Sequence, residues 1–207
     1  MKKYEMLKDK IEMEGHTLYR IKACMDFGDV KAGDLGGYIK KPANLSQEGD
    51  CWVYNEACIY GDAFVFGNAR VFGNARVSGN ARVFGNVRVS GDTCVFGNAF
   101  IFGNACIYGN AQVFGDAHVS GSARFSYNCQ INKNNDYLTI VNIGGSNNTT
   151  TFFKTQDNKI GVTCGYFTGT IDEFLKVVNE IYCENKRAKA YKLACMLARV
   201  QIELEEK

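Results

Sequence analysis

The sequence predicts a mainly β protein: a parallel β-helix of hexapeptide repeats, followed by a small C-terminal α+β unit ending in two helices. Three observations predict it. A unit V-x-G-[ND]-A-x runs through ten unbroken copies from Val65 to Arg124, and weaker copies extend it to Gln47 and Gln130, fourteen units in all. Fixed short periods of this kind mark stacked β coils. Each unit carries a short alternating stretch, A-x-V-x, which is strand patterning. Beyond Gln130 the period stops, and apolar runs, turns and a helix-capping signature take over.

Residues 1–46 form the first region. Lys2 to Glu14, dense in charge, reads as a short helix or a loose arm. Leu18-Tyr19-Arg20-Ile21-Lys22-Ala23 alternates and reads as a strand. Asp26–Asp29 and Gly33–Gly37 read as turns. An open coil end exposes apolar side chains and unpaired strand edges. Capping the first coil is therefore the expected role of this segment.

Residues 47–130 form the solenoid. In Ala69-Arg70-Val71-Phe72, Ala69 and Val71 are expected inside, with Arg70 and Phe72 outside. The Gly-Asn pair makes the corner, because glycine accepts positive φ and Asn or Asp tolerates left-handed backbone. Three strands and three corners close one triangular coil of about 18 residues. The body is then a prism of about 4–5 coils, roughly 20 Å long at about 4.8 Å between strands. Asn68, Asn86 and Asn104 should stack in a ladder at one corner.

Residues 131–207 form the third region. Tyr137–Ile143, Thr149–Thr155 and Lys159–Cys164 read as three strands, with turns at Gly144–Asn148 and Gln156–Asn158. Thr170-Ile-Asp-Glu173 is a capping box opening a helix to about Tyr182. A second helix runs from about Lys186 to Glu205, with Tyr191, Ala194, Cys195, Ala198 and Ile202 on one face. This unit is either a separate domain or a cap.

Composition narrows the function classes. The formal net charge is +2, so bulk attraction to nucleic acid or acidic membrane is not indicated. No apolar run is long enough to span a membrane, and Met1–Glu5 does not read as a signal peptide, so a cytoplasmic protein is expected. Nine cysteines form no CxxC pair, and His16 and His118 are the two histidines. Reduced structural thiols are expected rather than a metal site, and no cofactor is implied.

Sorting outward residues by an 18-residue step assigns three faces. The first carries Trp52, Tyr54, Arg70, Phe72, Arg88 and Arg124, a mixture of guanidinium and rings suited to a phosphate-bearing or aromatic ligand. Its rival is a solvated β face whose guanidinium groups shield the rings. The third carries Phe64, Phe66, Phe84, Phe100 and Phe102, too much apolar surface to stay bare. Cover by another subunit, in a dimer or trimer, or by the C-terminal helices is expected. The amides of Gly169, Thr170 and Ile171 open a helix and suit an anion. As a catalyst, the chain offers His118 as candidate base, with Asp116 two residues away at a corner.

The opening segment Tyr19-Arg-Ile-Lys-Ala, Asp26-Phe-Gly-Asp-Val-Lys-Ala-Gly-Asp-Leu-Gly-Gly37 and Asn44-Leu-Ser-Gln-Glu-Gly-Asp-Cys-Trp-Val-Tyr54 resembles a family of phage and prophage hexapeptide-repeat proteins. The closing segment Cys164–Phe174 resembles tails found in the same group. The resemblance covers nearly the whole chain. It implies a left-handed β-helix, and family members are often labelled transferases, a label that follows fold rather than site. It also implies a bacterial host cell and a binding role against a host defence component, either a protein or a nucleotide-like signal. No catalytic residue carries over from that family; the alternative, from the many acyltransferases among hexapeptide β-helices, is a CoA-dependent acyltransferase with His118 at a subunit boundary.

Overall fold

The computed structural model describes residues 2–143 and 149–204. The turn expected at Gly144–Asn148 lies outside the described residues, as does Glu205. After β1 (Tyr4–Met13), β2 (His16–Ala23) and β3 (Leu35–Ile39), two-residue rungs recur every six residues from Trp52–Val53 (β4) to Gln130–Ile131 (β17). They stack in parallel, each pairing with the rung one coil away, and build three walls. The first wall stacks the rungs at Trp52, Arg70, Arg88, Cys106 and Arg124. The second stacks those at Cys58, Arg76, Cys94, Gln112 and Gln130. The third stacks those at Phe64, Arg82, Phe100 and His118.

The alternation reads out as expected. Val65, Val71, Val77, Val83, Val89, Val95, Ile101 and Ile107 are fully buried, and so are the alanines that precede the rungs. Burying each valine or isoleucine side chain contributes about 1.5–3 kcal/mol, so a column of them outweighs the weak pairing of two-residue strands. At the corners Asn68 Nδ2 donates to Asn86 Oδ1 (3.1 Å) and Asn86 Nδ2 to Asn104 Oδ1 (3.0 Å).

The start of the chain differs from its sequence reading. Lys2 to Glu14 is neither helix nor arm: β1 is a ten-residue strand antiparallel to β2. The two join through Glu14-Gly15 at φ 50° and 76°, the positive-φ pair of a tight hairpin. β2 pairs with β3, and β3 pairs in parallel with the rung at Cys58, so the hairpin prolongs the second wall to eight strands. Lys3 is buried, and its Nζ donates to the carbonyls of Glu48, Gly49 and Cys51 at 3.1–3.4 Å. Those carbonyls belong to the first corner, which has no coil below to satisfy it.

At the other end, β18 (Tyr137–Ile140), β19 (Thr150–Lys154), β20 (Ile160–Cys164) and β21 (Phe167–Thr170) form an antiparallel sheet. The fourth strand, absent from the sequence reading, contains Gly169 and runs directly into the helix. One side of this sheet closes the last coil: Phe125 meets Tyr137 and Phe153 edge-on, at 5.3 and 5.9 Å. The other side packs on α1 (Ile171–Tyr182) and α2 (Lys186–Gln201) through Phe152, Val162, Phe174, Tyr191 and Ala198. The unit therefore sits on its own solenoid as a lid. The helices pack on this sheet and not on the phenylalanine wall, which removes intrachain helical cover of that wall.

Candidate functional site

The first wall divides into a committed half and an open half. Trp52 is 1% exposed, so it is not part of an outer platform. Tyr4 and Phe27 cover it edge-on at 6.1 and 5.4 Å. Above it, Asp29 reaches in from the loop that follows β2. It accepts from the Tyr54 hydroxyl (2.8 Å) and pairs with Arg70 Nη1 (3.0 Å). Burial pushes the Asp29 carboxyl up, but the Tyr54 hydroxyl, Arg70 and the more distant Arg88 outweigh it and hold it below the usual range. Burial and the Asp29 carboxylate push the Tyr54 phenol up. Phe72 stacks flat on Tyr54 at 4.4 Å. Tyr54, Arg70 and Phe72 therefore form one internally satisfied stack.

The open half carries Arg88 and Arg124, both exposed, in register on either side of Cys106. Among the described residues neither guanidinium has an ion-pair or hydrogen-bond partner, whereas Arg20, Arg70, Arg76 and Arg199 each have a carboxylate. Two rungs set them about 9.6 Å apart along the wall. Ser126, the next outward position, is buried against Thr163 of the terminal sheet, its Oγ 2.9 Å away.

On the third wall the phenylalanines align. Phe66 stacks on Phe84 at 4.6 Å and 5°, and Phe84 on Phe102 at 5.4 Å and 8°. Phe64 and Phe100 pack beside them. All five are half-buried by one another. Barer apolar surface lies on α2, where Leu193, Met196, Leu197 and Val200 are 50–82% exposed.

His118 closes the third wall. Its ring lies 5.7 Å from that of Phe100, and its backbone, not its imidazole, is bonded to Asn134 and Tyr137. Among the described residues no group hydrogen-bonds the imidazole, and Asp116 accepts from Asn98 instead. A general base needs an orienting partner. The second-wall thiols Cys58 and Cys94 are no better placed as nucleophiles: burial pushes Cys58 up to about 11 and raises Cys94.

At the anion site expected at Gly169 and Thr170, the Thr170 amide is already taken. Glu173 Oε2 accepts from the Thr170 amide and hydroxyl, both at 2.8 Å, and these hydrogen bonds hold its carboxyl below the usual range. A groove of about 820 Å³ opens beside this helix start, lined by Asp172, Glu173, Glu203, Lys159 and Arg199. Arg199 is paired with Asp172 (2.6 Å) and Lys159 with Asp157 (2.8 Å). The Glu173 carboxylate thus takes the Thr170 amide that an anion would use.

Comparison with known proteins adds to this geometry. Residues 63–79, 69–82 and 75–91 match a family described as the YdcK beta solenoid repeat. A stretch of 42 residues, 20% of this chain, is 48% identical to a protein of Escherichia coli (strain K12) named "Uncharacterized acetyltransferase YdcK". The match covers 13% of that protein's length. The family match lies in the coils, and the two likenesses together support a hexapeptide-type repeat family.

Proposed function

We propose that this protein is a non-catalytic binding protein that captures an anionic group of a partner on its first wall and assembles through its third. The observation that carries it is the pair Arg88 and Arg124, in register on a flat wall and without a carboxylate partner among the described residues. Arginine forks of this kind suit phosphate or carboxylate. The phage-like opening and closing motifs make a host defence component, protein or nucleotide-like, the partner class. Replacing Arg88 and Arg124 by alanine is expected to reduce capture from bacterial lysate at least tenfold. The unfolding midpoint should stay unchanged, since exposed substitutions shift stability by at most about 0.5 kcal/mol. Equal capture by variant and wild type would remove this wall from the argument.

The second reading is acyl transfer from CoA, favoured by the name of the E. coli relative. Free CoA thiol released from acetyl-CoA with a panel of amine and hydroxyl acceptors measures it. Turnover lost on His118→Ala would replace the binding reading.

Assembly has its own test. Light scattering should give a dimer or trimer, and Phe84→Glu should reduce it to a monomer. A monomeric wild type, or dissociation by Val200→Glu and not by Phe84→Glu, would exclude the phenylalanine wall as the interface.

A further inference from the structure

The open half of the first wall has a gap in its ring column. Residues 54, 72, 90, 108 and 126 each follow a rung of that wall, so they stand one above another. They are Tyr54, Phe72, Ser90, Tyr108 and Ser126. Phe72 lies face to face with Tyr54 at 4.4 Å and 14°, so its other face turns along the axis toward Ser90. Among the described residues no second ring and no cation covers Phe72. Tyr108, one coil beyond Ser90, makes no ring contact among the described residues, and its hydroxyl makes no hydrogen bond there. Both rings are partly exposed. The third wall shows such a place filled: Phe84 sits between Phe66 and Phe102, at 4.6 and 5.4 Å.

The neighbouring column repeats the arrangement with charge. Arg88 and Arg124 flank Cys106, each one rung away from it. Cys106 is short, so two long guanidinium side chains can converge on an anion placed over it. Ser90 and Cys106 are diagonal neighbours, two residues apart along the strand and one coil apart along the axis. That is a span of about 8 Å, which a ribose bridges between base and phosphate. The open stretch is also bounded. Asp29, bonded to Tyr54 and Arg70, closes it below. Ser126, buried against Thr163, closes it above. One nucleotide fits between these limits, and a longer strand would run into them.

We infer that this wall binds a free nucleoside 5′-phosphate. The base lies over Ser90 between Phe72 and Tyr108, and the phosphate lies over Cys106 between Arg88 and Arg124. Stacking on aromatic faces tolerates any base, and the arginine forks supply the preference for a phosphorylated ligand. The inference rests on the binding role proposed above for Arg88 and Arg124, and it names the ligand class of that same site.

The test is calorimetric titration of the full chain with AMP, adenosine, inorganic phosphate and a short oligoadenylate. AMP should bind saturably and at least tenfold tighter than adenosine or phosphate, with the oligonucleotide no tighter than AMP. Tyr108→Ala, which removes one stacking face and adds no bulk, should weaken AMP binding at least fivefold. Arg88→Ala with Arg124→Ala should erase the preference for AMP over adenosine. Ser90→Phe, which fills the gap as Phe84 does on the third wall, should abolish AMP binding while leaving the circular dichroism unchanged. No saturable AMP binding at millimolar concentration would overturn the inference, as would binding unaffected by Tyr108→Ala or by a folded Ser90→Phe. Tighter binding of the oligonucleotide than of AMP would overturn the assigned ligand class. If AMP fails to bind while capture from lysate still depends on Arg88 and Arg124, this inference falls and the binding role stands. If that dependence is absent too, both fall.

Discussion

Replacing Trp52 by alanine should destabilise the protein by about 3–5 kcal/mol, the range for truncating a buried aromatic to alanine. The indole is 1% exposed and touches Tyr4 and Phe27, which come from two separate parts of the opening segment. Gly36 also backs onto it, since a Cβ there would lie 2.7 Å from Trp52 Cζ2. Removing the indole therefore opens a cavity at the joint between opening segment and first coil. Because each coil contacts only its neighbours, the damage should be local. Amide exchange should accelerate at Val53 and Val71 well before Val119. Urea unfolding followed by circular dichroism measures the loss. A loss below about 1 kcal/mol, or uniform acceleration of exchange, would contradict the joint described.

The second large effect lies at a corner. Gly91 has φ 78°, and an added Cβ would fall 2.7 Å from the carbonyl oxygen of Gly109 and 3.0 Å from its nitrogen. Those are backbone atoms of the next coil and cannot swing aside. Gly91→Ala thus combines left-handed strain of about 1–2 kcal/mol with an overpacking cost of about 1–3 kcal/mol. Gly121 separates the two contributions. It has φ 67°, but nothing lies within 4 Å of the place its Cβ would take, so Gly121→Ala should cost about 1–2 kcal/mol from strain alone. Equal losses at the two positions, by the same urea titration, would show that coil spacing does not limit the corners.

How much of this is legible in the sequence follows from the range of each interaction. The walls, the buried valines and the Asn68–Asn86–Asn104 ladder depend on position within a six-residue unit, and such a period is visible directly. The helix start at Thr170 and Glu173 is legible for the same reason, since a capping box spans four residues. Its consequence is harder to see: the same Glu173 carboxylate occupies the Thr170 amide, one of those expected to take an anion. β1 escapes the reading because Lys-Asp-Lys-Ile-Glu carries charge on both helical and strand patterns. The Glu14-Gly15 pair between two alternating runs is the available signal. Trp52 holds an outward position in its unit and is buried by residues far away in the chain. Asp29 reaches Arg70 across 41 residues. Neither contact has a local pattern, so the first wall reads as one continuous platform when half of it is already satisfied.

The triangular coil also constrains how the gene can change. Neighbouring units such as those at Val65 and Val71 are identical in sequence, the kind of repeat prone to unequal recombination. Gain or loss of one unit would turn everything downstream by a third of a revolution. Asn, Phe and Arg columns would be reshuffled, and the terminal lid would arrive rotated relative to the first hairpin. Only changes of three units, 18 residues, return each side chain to its own column. Length variants of this body should therefore come in whole revolutions, like links of a chain added or removed.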